Sequence, residues 1–120
     1  MKNVLIADDS TSTLTLLTTV LKKKNVRVET AVNGEEAVQK FKESSPDIVF
    51  LDTMMPKMNG LEALREIKSL NPNSIVVMLT ALSSTDDIQE ASDAGANEYL
   101  QKPFQIQNLF SILKKYSIIE

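Results

Sequence analysis

A chain of 120 residues with no cysteine and no histidine has no disulfides, no thiolate or imidazole metal ligands and no imidazole base. Any metal it binds must be held by oxygen, which selects Mg2+, with Mn2+ or Ca2+ as substitutes. Its net charge is −3, and the basic run Lys22-Lys23-Lys24 has no aromatic residue interleaved, so direct nucleic-acid binding is not expected. No apolar run approaches the ~20 residues that span a bilayer, and Met1-Lys2-Asn3 leads straight into a short strand; a cytoplasmic protein of one domain, 1–120, is expected.

Residues 4–7 form a short continuous apolar stretch, as in a strand buried on both faces, and it stops at Asp8-Asp9. Residues 11–24 are rich in threonine, a poor helix former, yet too long for a typical strand. They end in lysines that suit a helix C-terminus, followed by Asn25, so a helix is predicted. Residues 26–31 alternate, Val26 and Val28 against Arg27 and Glu29, which fits an edge strand. Asn33 then caps a helix with acids in its first turn and Ala37 and Phe41 on one face.

Residues 48–51 are the next continuous apolar stretch, ending at Asp52. Leu61, Leu64 and Ile67 mark a helix face that stops at Asn71-Pro72. Residues 75–79 form a further buried strand, ending at Thr80. Ser84 and Asp87 resemble a capping box opening a helix over 85–94, in which Ile88 is the only large apolar residue. Residues 99–101 are short and mixed, the other edge strand, followed by Lys102-Pro103. Ile106, Leu109, Phe110 and Leu113 give the last helix its apolar face, with Ile112 off the stripe and available to a partner.

Five strands alternating with five helices make a parallel sheet covered on both faces. Right-handed crossovers and two edge strands favour the order 2-1-3-4-5. Its first and third strands then adjoin where the winding reverses, and ligands of open α/β sheets bind there, beyond the carboxyl ends of the strands. Asp8, Asp9, Asp52, Thr80 and Lys102 all stand at that edge. Three carboxylates, a hydroxyl and an ammonium suit a divalent cation with a phosphoryl group. Adjacent acids need a neutralising cation; one of Asp8 and Asp9 is expected to touch the metal and the other to hold a metal-bound water, and spacing leaves open which. Asp52 is a candidate phosphoryl acceptor through an aspartyl phosphate. Thr80 can donate to a phosphate oxygen beside the small Ala81, and Lys102, kept extended by Pro103, supplies a point charge.

The ordered set Asp8-Asp9, Asp52 to Pro56 through Asn59-Gly60, Thr80-Ala81, and Tyr99 with Lys102-Pro103-Phe104 resembles the receiver domain of two-component response regulators, over essentially the whole chain. The resemblance implies a three-layer, flavodoxin-like α/β/α sandwich. It implies that Asp52 takes a phosphoryl group from a phosphohistidine on a sensor histidine kinase. Asp8, Asp9 and Asp52 would hold Mg2+ with the backbone carbonyl of Met54, Thr80 and Lys102 would grip the phosphoryl oxygens, and the Lys102–Pro103 peptide would be cis. Thr80 and Tyr99 would form the switch, with the last two helices and last strand as the face that meets a downstream protein.

Residues 86–94 and 105–113 contain no Lys or Arg, which argues against a dimer paired through basic and acidic residues on that face and favours a monomer. The chain ends soon after the last helix, as in stand-alone chemotaxis-type regulators; a receiver excised from a larger regulator would read the same way. Such a protein catalyses its own phosphotransfer and dephosphorylation without being a conventional turnover enzyme. Met54 and Leu82 are both apolar and are expected to shield the aspartyl phosphate from water. Two rivals stand beside this reading. An aspartyl phosphatase usually separates its two leading aspartates by one residue, unlike Asp8-Asp9; an interaction scaffold that never carries phosphate would not need the full set of groups.

Overall fold

The elements run β1 (Asn3–Ala7), α1 (Thr11–Lys22), β2 (Arg27–Ala31), α2 (Gly34–Ser44), β3 (Ile48–Asp52), α3 (Gly60–Leu70), β4 (Val76–Thr80), α4 (Thr85–Asp93), β5 (Glu98–Gln101) and α5 (Ile106–Lys115). The structure, a computed structural model, describes residues 1–81 and 85–120; the Ser84–Asp87 capping box and the Leu82 side chain expected from the sequence lie outside what it describes. All five strands are parallel, in the order β2-β1-β3-β4-β5. Sheet order and edge strands are those expected.

Burial on both faces explains the continuous apolar runs. Val4 and Ile6 of β1, Ile48 and Phe50 of β3, and Val77 and Leu79 of β4 face α1 and α5, meeting Leu14, Leu17, Leu21, Leu109 and Leu113. The intervening Leu5, Val49, Leu51 and Met78 face the other layer, against Ala37, Phe41, Leu64 and Ile67. Alternate residues therefore feed two separate cores, so neither parity can be polar. Each large side chain fully removed from water contributes roughly 1.5–3 kcal/mol, and Phe50, Leu51, Leu64, Leu79 and Leu113 are among those fully buried. Asp8, Asp52 and Thr80, at the strand ends, are the exceptions to an apolar interior along these strands.

Boundaries shift where capping and ladder bonds decide them. α1 ends at Lys22 with Lys23 as its cap, two residues short of the expected end. Asn25 takes a left-handed conformation (φ 61°) there, one that Asn tolerates better than most residues. β3 and β4 each run one residue further than the apolar stretch, to Asp52 and Thr80, because those residues still have register partners in Leu79 and Gln101. Ile112, off the apolar stripe of α5, is half-buried: part of it packs against the core beneath the helix, and part lines a groove beside β5. α3 opens on a full capping box, Asn59 Oδ1 accepting from Glu62 N–H at 2.9 Å and Glu62 Oε1 accepting from Asn59 N–H at 3.3 Å.

Candidate phosphoryl and metal site

β1 delivers Asp8 to the carboxyl edge, where its N–H donates to the Ala31 carbonyl at 3.0 Å and extends the ladder with β2 by one bond. The Asp8 side chain is fully buried, a costly place for a charge unless it is paired and hydrogen-bonded. Both its oxygens are engaged. Oδ1 accepts from Ser10 N–H at 2.9 Å, and Oδ2 lies 2.6 Å from the Lys102 ammonium. Ser10 in turn caps α1, accepting from Thr13 N–H at 3.3 Å. Asp9, the next residue, is exposed.

Asp52 ends β3 and is 5% exposed. Its Oδ1 accepts from Met54 N–H at 3.1 Å and its Oδ2 lies 3.3 Å from Lys102 Nζ. The single ammonium thus bridges two carboxylates. Asp8, Asp9 and Asp52 each offer a carboxylate oxygen within 4.8 Å of the others. Oxygens bound to one Mg2+ stand at most about 4.2 Å apart, twice the ~2.1 Å bond. A pair near the wider limit must close up or reach the ion through water. With that adjustment the donor set fits a hard cation, and Met54 brings its peptide to the same carboxylate.

Burial pushes the Asp52 carboxyl up to about 6. The Met54 N–H works against that rise, the Asp8 charge adds to it, and Lys102 opposes it. For Lys102, burial favours the neutral amine, but hydrogen bonds and charge attraction from Asp8 and Asp52 outweigh it and raise the ammonium above its ordinary value. The pocket therefore holds more acid than one ammonium compensates, which is the electrostatic case for a divalent ion.

Thr80 is 4% exposed at the end of β4, and its Oγ1 accepts from the Thr53 hydroxyl at 3.3 Å. Its carbonyl accepts from Lys102 N–H at 2.7 Å, so β4 sets the backbone from which Lys102 reaches the acids. The Lys102–Pro103 peptide is cis, as the resemblance implies. Tyr99 lies on β5, half-buried, with its hydroxyl donating to the Ile88 carbonyl of α4 at 3.2 Å. Met54 is 63% exposed, so its side chain does not enclose Asp52 here. Beyond Tyr99, a groove between β5 and α5 is lined by Leu100, Pro103, Phe104, Asn108 and Ile112.

Ser10 and Thr53 touch this constellation without having been singled out in the sequence. Ser10 was legible as a helix N-cap; Thr53 carried no signal beyond its place after Asp52. Gly60 was read only as part of a motif. Its physical reason is space: a Cβ there would overlap the Asp52 carbonyl oxygen and stand 2.8 Å from Thr53 Cα, while its N–H donates to the Thr53 carbonyl at 3.2 Å.

Sheet order and winding define a flavodoxin-like α/β domain, and the polar groups gather at its switch point, where open α/β sheets bind ligands. The chain belongs to the response regulator receiver domain family, whose model matches residues 4–114. The chemotaxis protein CheY of Thermotoga maritima is 39% identical over 117 residues, 97% of this chain and 98% of that protein. The transcriptional regulatory protein CpxR homolog of Haemophilus influenzae is 42% identical over 114 residues, 95% of this chain but 49% of that protein. Among solved structures, a chain of the CheX–CheY–BeF3–Mg2+ complex of Borrelia burgdorferi superposes with a TM-score of 0.89 at 34% identity, covering 96% of this chain and 89% of that one. Among the described residues, no helix is long and apolar enough to cross a membrane.

Proposed function

We propose that this receiver is a phosphorylation-activated, chemotaxis-type response regulator: one domain over 1–120, monomeric and cytoplasmic, with Asp52 as its phosphoacceptor. The observation that carries the reading is the Lys102 ammonium held between the buried carboxylates of Asp8 and Asp52, at 2.6 and 3.3 Å.

In the reaction, a carboxylate oxygen of Asp52 attacks the phosphorus of a phosphohistidine on a sensor kinase. The P–O bond forms as the P–N bond breaks, and its electron pair leaves with the imidazole nitrogen, which takes a proton from solvent. Asp8, Asp9, Asp52 and the Met54 carbonyl are the groups that would hold Mg2+. When bound, the ion neutralises charge on the phosphoryl oxygens and the acids around them. Lys102 shifts its ammonium from the acids to a phosphoryl oxygen, and the Thr80 hydroxyl donates to another.

Thr80 and Tyr99 then carry the change outward. Drawing the Thr80 side chain to the phosphoryl group opens room behind it, and Tyr99 gives up its bond to the Ile88 carbonyl to turn inward. A hydrogen bond to a charged group is worth roughly 1.5–3 kcal/mol, whereas shifting an equilibrium from 1:99 to 99:1 takes about 5.5 kcal/mol. Lys102, the metal and the loops must therefore add to Thr80. The groove between β5 and α5, charge-poor and partly apolar, receives the downstream protein. The similarity to CheY proteins over nearly their full length supports the chemotaxis assignment.

Incubation with acetyl phosphate and Mg2+ followed by intact-mass measurement tests this. One phosphoryl group on the wild type and none on Asp52→Asn is expected. An unmodified wild type would favour a scaffold, and rapid turnover of many phosphomonoesters a phosphatase.

A further inference from the structure

Three residues after the carbonyl that anchors Asp8, the β2–α2 turn makes a second bond to the site. Asp8 N–H donates to the Ala31 carbonyl at 3.0 Å, and Gly34 N–H donates to the Met58 carbonyl at 2.9 Å. Ala31 is fully buried and Gly34 buried. Between them Asn33, 9% exposed, caps α2 by accepting from Glu36 N–H at 2.8 Å, which fixes the direction of the turn. The segment 31–34 therefore ties the strand end that carries Asp8 to the loop that carries Met54 and follows Asp52.

Contact at Gly34 is backbone to backbone. A Cβ there would overlap the Met58 carbonyl oxygen and stand 2.7 Å from its carbonyl carbon and 2.8 Å from Met58 Cβ. Backbone cannot swing aside as a long side chain can, so the loop would have to move. That loop has little slack: Met58 packs partly buried against the core, Met55 is 9% exposed, and Gly60 N–H holds the Thr53 carbonyl at the other end. Displacement at Met58 is thereby passed to the Asp52–Met54 segment.

We infer that Gly34 is a positioning residue for the phosphoryl site: its N–H and its missing side chain set the loop after Asp52 against the Asp8 strand, and so the spacing of the metal ligands. This rests on the proposed role of Asp52 and its neighbours.

The test compares Gly34→Ala with Leu113→Ala, a cavity variant in the opposite core layer that lowers the melting temperature without touching the loop. Mg2+ affinity is measured by titration with MgCl2, and acetyl phosphate labelling is read alongside. Gly34→Ala should weaken Mg2+ binding about tenfold, as loss of a group supporting metal ligands does, and Leu113→Ala should leave it unchanged. Equal affinities in the two variants would overturn the inference while leaving the phosphoacceptor reading intact; failure of the wild type to take a phosphoryl group would sink that reading instead. A second readout covers a Gly34→Ala chain that does not fold. In wild-type protein titrated with MgCl2, the Gly34 amide resonance should move together with those of residues 53–58. A stationary Gly34 amide beside moving loop amides would contradict the role.

Discussion

Lys102 and Asp8, 94 residues apart in sequence, meet at 2.6 Å across the carboxyl edge of the sheet, and the same ammonium lies 3.3 Å from Asp52. In that position it competes with a cation for the carboxylates. Replacing it with an uncharged chain of similar length removes the competitor. With the water-like screening of a site open to solvent, the loss of one charge about 4 Å away is worth about 1 kcal/mol. Lys102→Met is therefore expected to bind Mg2+ several-fold more tightly than wild type by calorimetric titration, while its switch response to phosphorylation is lost. Weaker Mg2+ binding in the variant would show that Lys102 supports the cation site and does not compete for it.

Asp52 supplies a pH dependence with a definite sign. Burial first, then the Asp8 charge, raise its carboxyl from 3.8 to about 6. The folded protein therefore binds a proton more tightly than the unfolded chain, and Asp52 contributes stability that is full below about 4 and lost as pH rises through about 6. A shift of about two units corresponds to roughly 3 kcal/mol. Without metal, wild type is expected to lose stability across that window in urea titrations. Asp52→Asn should lose that part of the slope and be the more stable protein at pH 7, and Mg2+ should narrow the gap. A less stable Asp52→Asn at pH 7 without metal would contradict the sign.

Much of the site was legible because each group stands where an apolar stretch stops. Asp8, Asp52 and Thr80 are buried polar residues at strand ends; alternation, brevity and crossover handedness favour the sheet order, and the resemblance to receiver domains supplies the rest. Contacts between elements far apart in sequence were not legible in the same way. Gly34 read as the start of a helix, because nothing in Asn33-Gly34-Glu35-Glu36 announces the Met58 carbonyl against it. Ile112 read only as off the stripe, because helical periodicity does not show how far its side chain packs against the core beneath α5. The end of α1 was overrun because three lysines suit a C-terminus equally well at any of their positions; the Asn25 backbone decided it.

Glu98 and Tyr116 form a second pair whose closure depends on pH. The Lys115 ammonium and the Tyr116 hydroxyl both donate to Glu98 Oε2 at 2.6 Å, tying the start of β5 to the end of α5. Those two bonds, Lys115 first, hold the Glu98 carboxyl below its ordinary value. Burial, then Glu98, push the Tyr116 hydroxyl up to about 12. Glu98 thus contributes stability that is lost as pH falls below its ordinary range, and Tyr116 stability that is lost as pH rises from about 10 to about 12. Lys115 is 62% exposed, so its ion pair is screened and Lys115→Gln should change stability by about 0.5 kcal/mol or less. Tyr116→Phe should lose about 1 kcal/mol, measured by urea unfolding. The reverse ranking would assign the clamp to the ion pair.

The capping box of Asn59 and Glu62 starts α3 immediately after the loop that follows Asp52. Asn59→Ala removes an acceptor for the Glu62 N–H and should cost about 1 kcal/mol in unfolding free energy. A loss near zero would mean that the packing of Ala63, Leu64 and Ile67 alone fixes the helix start.

Trapping the acyl phosphate tests the central claim most directly. After labelling with acetyl phosphate and Mg2+, borohydride reduction turns a phosphorylated aspartate into homoserine, and peptide sequencing reads its position. Homoserine at position 52, with Asp8 and Asp9 unchanged, is the predicted result. Homoserine at either of those two, or none anywhere in the chain, would contradict Asp52 as the acceptor.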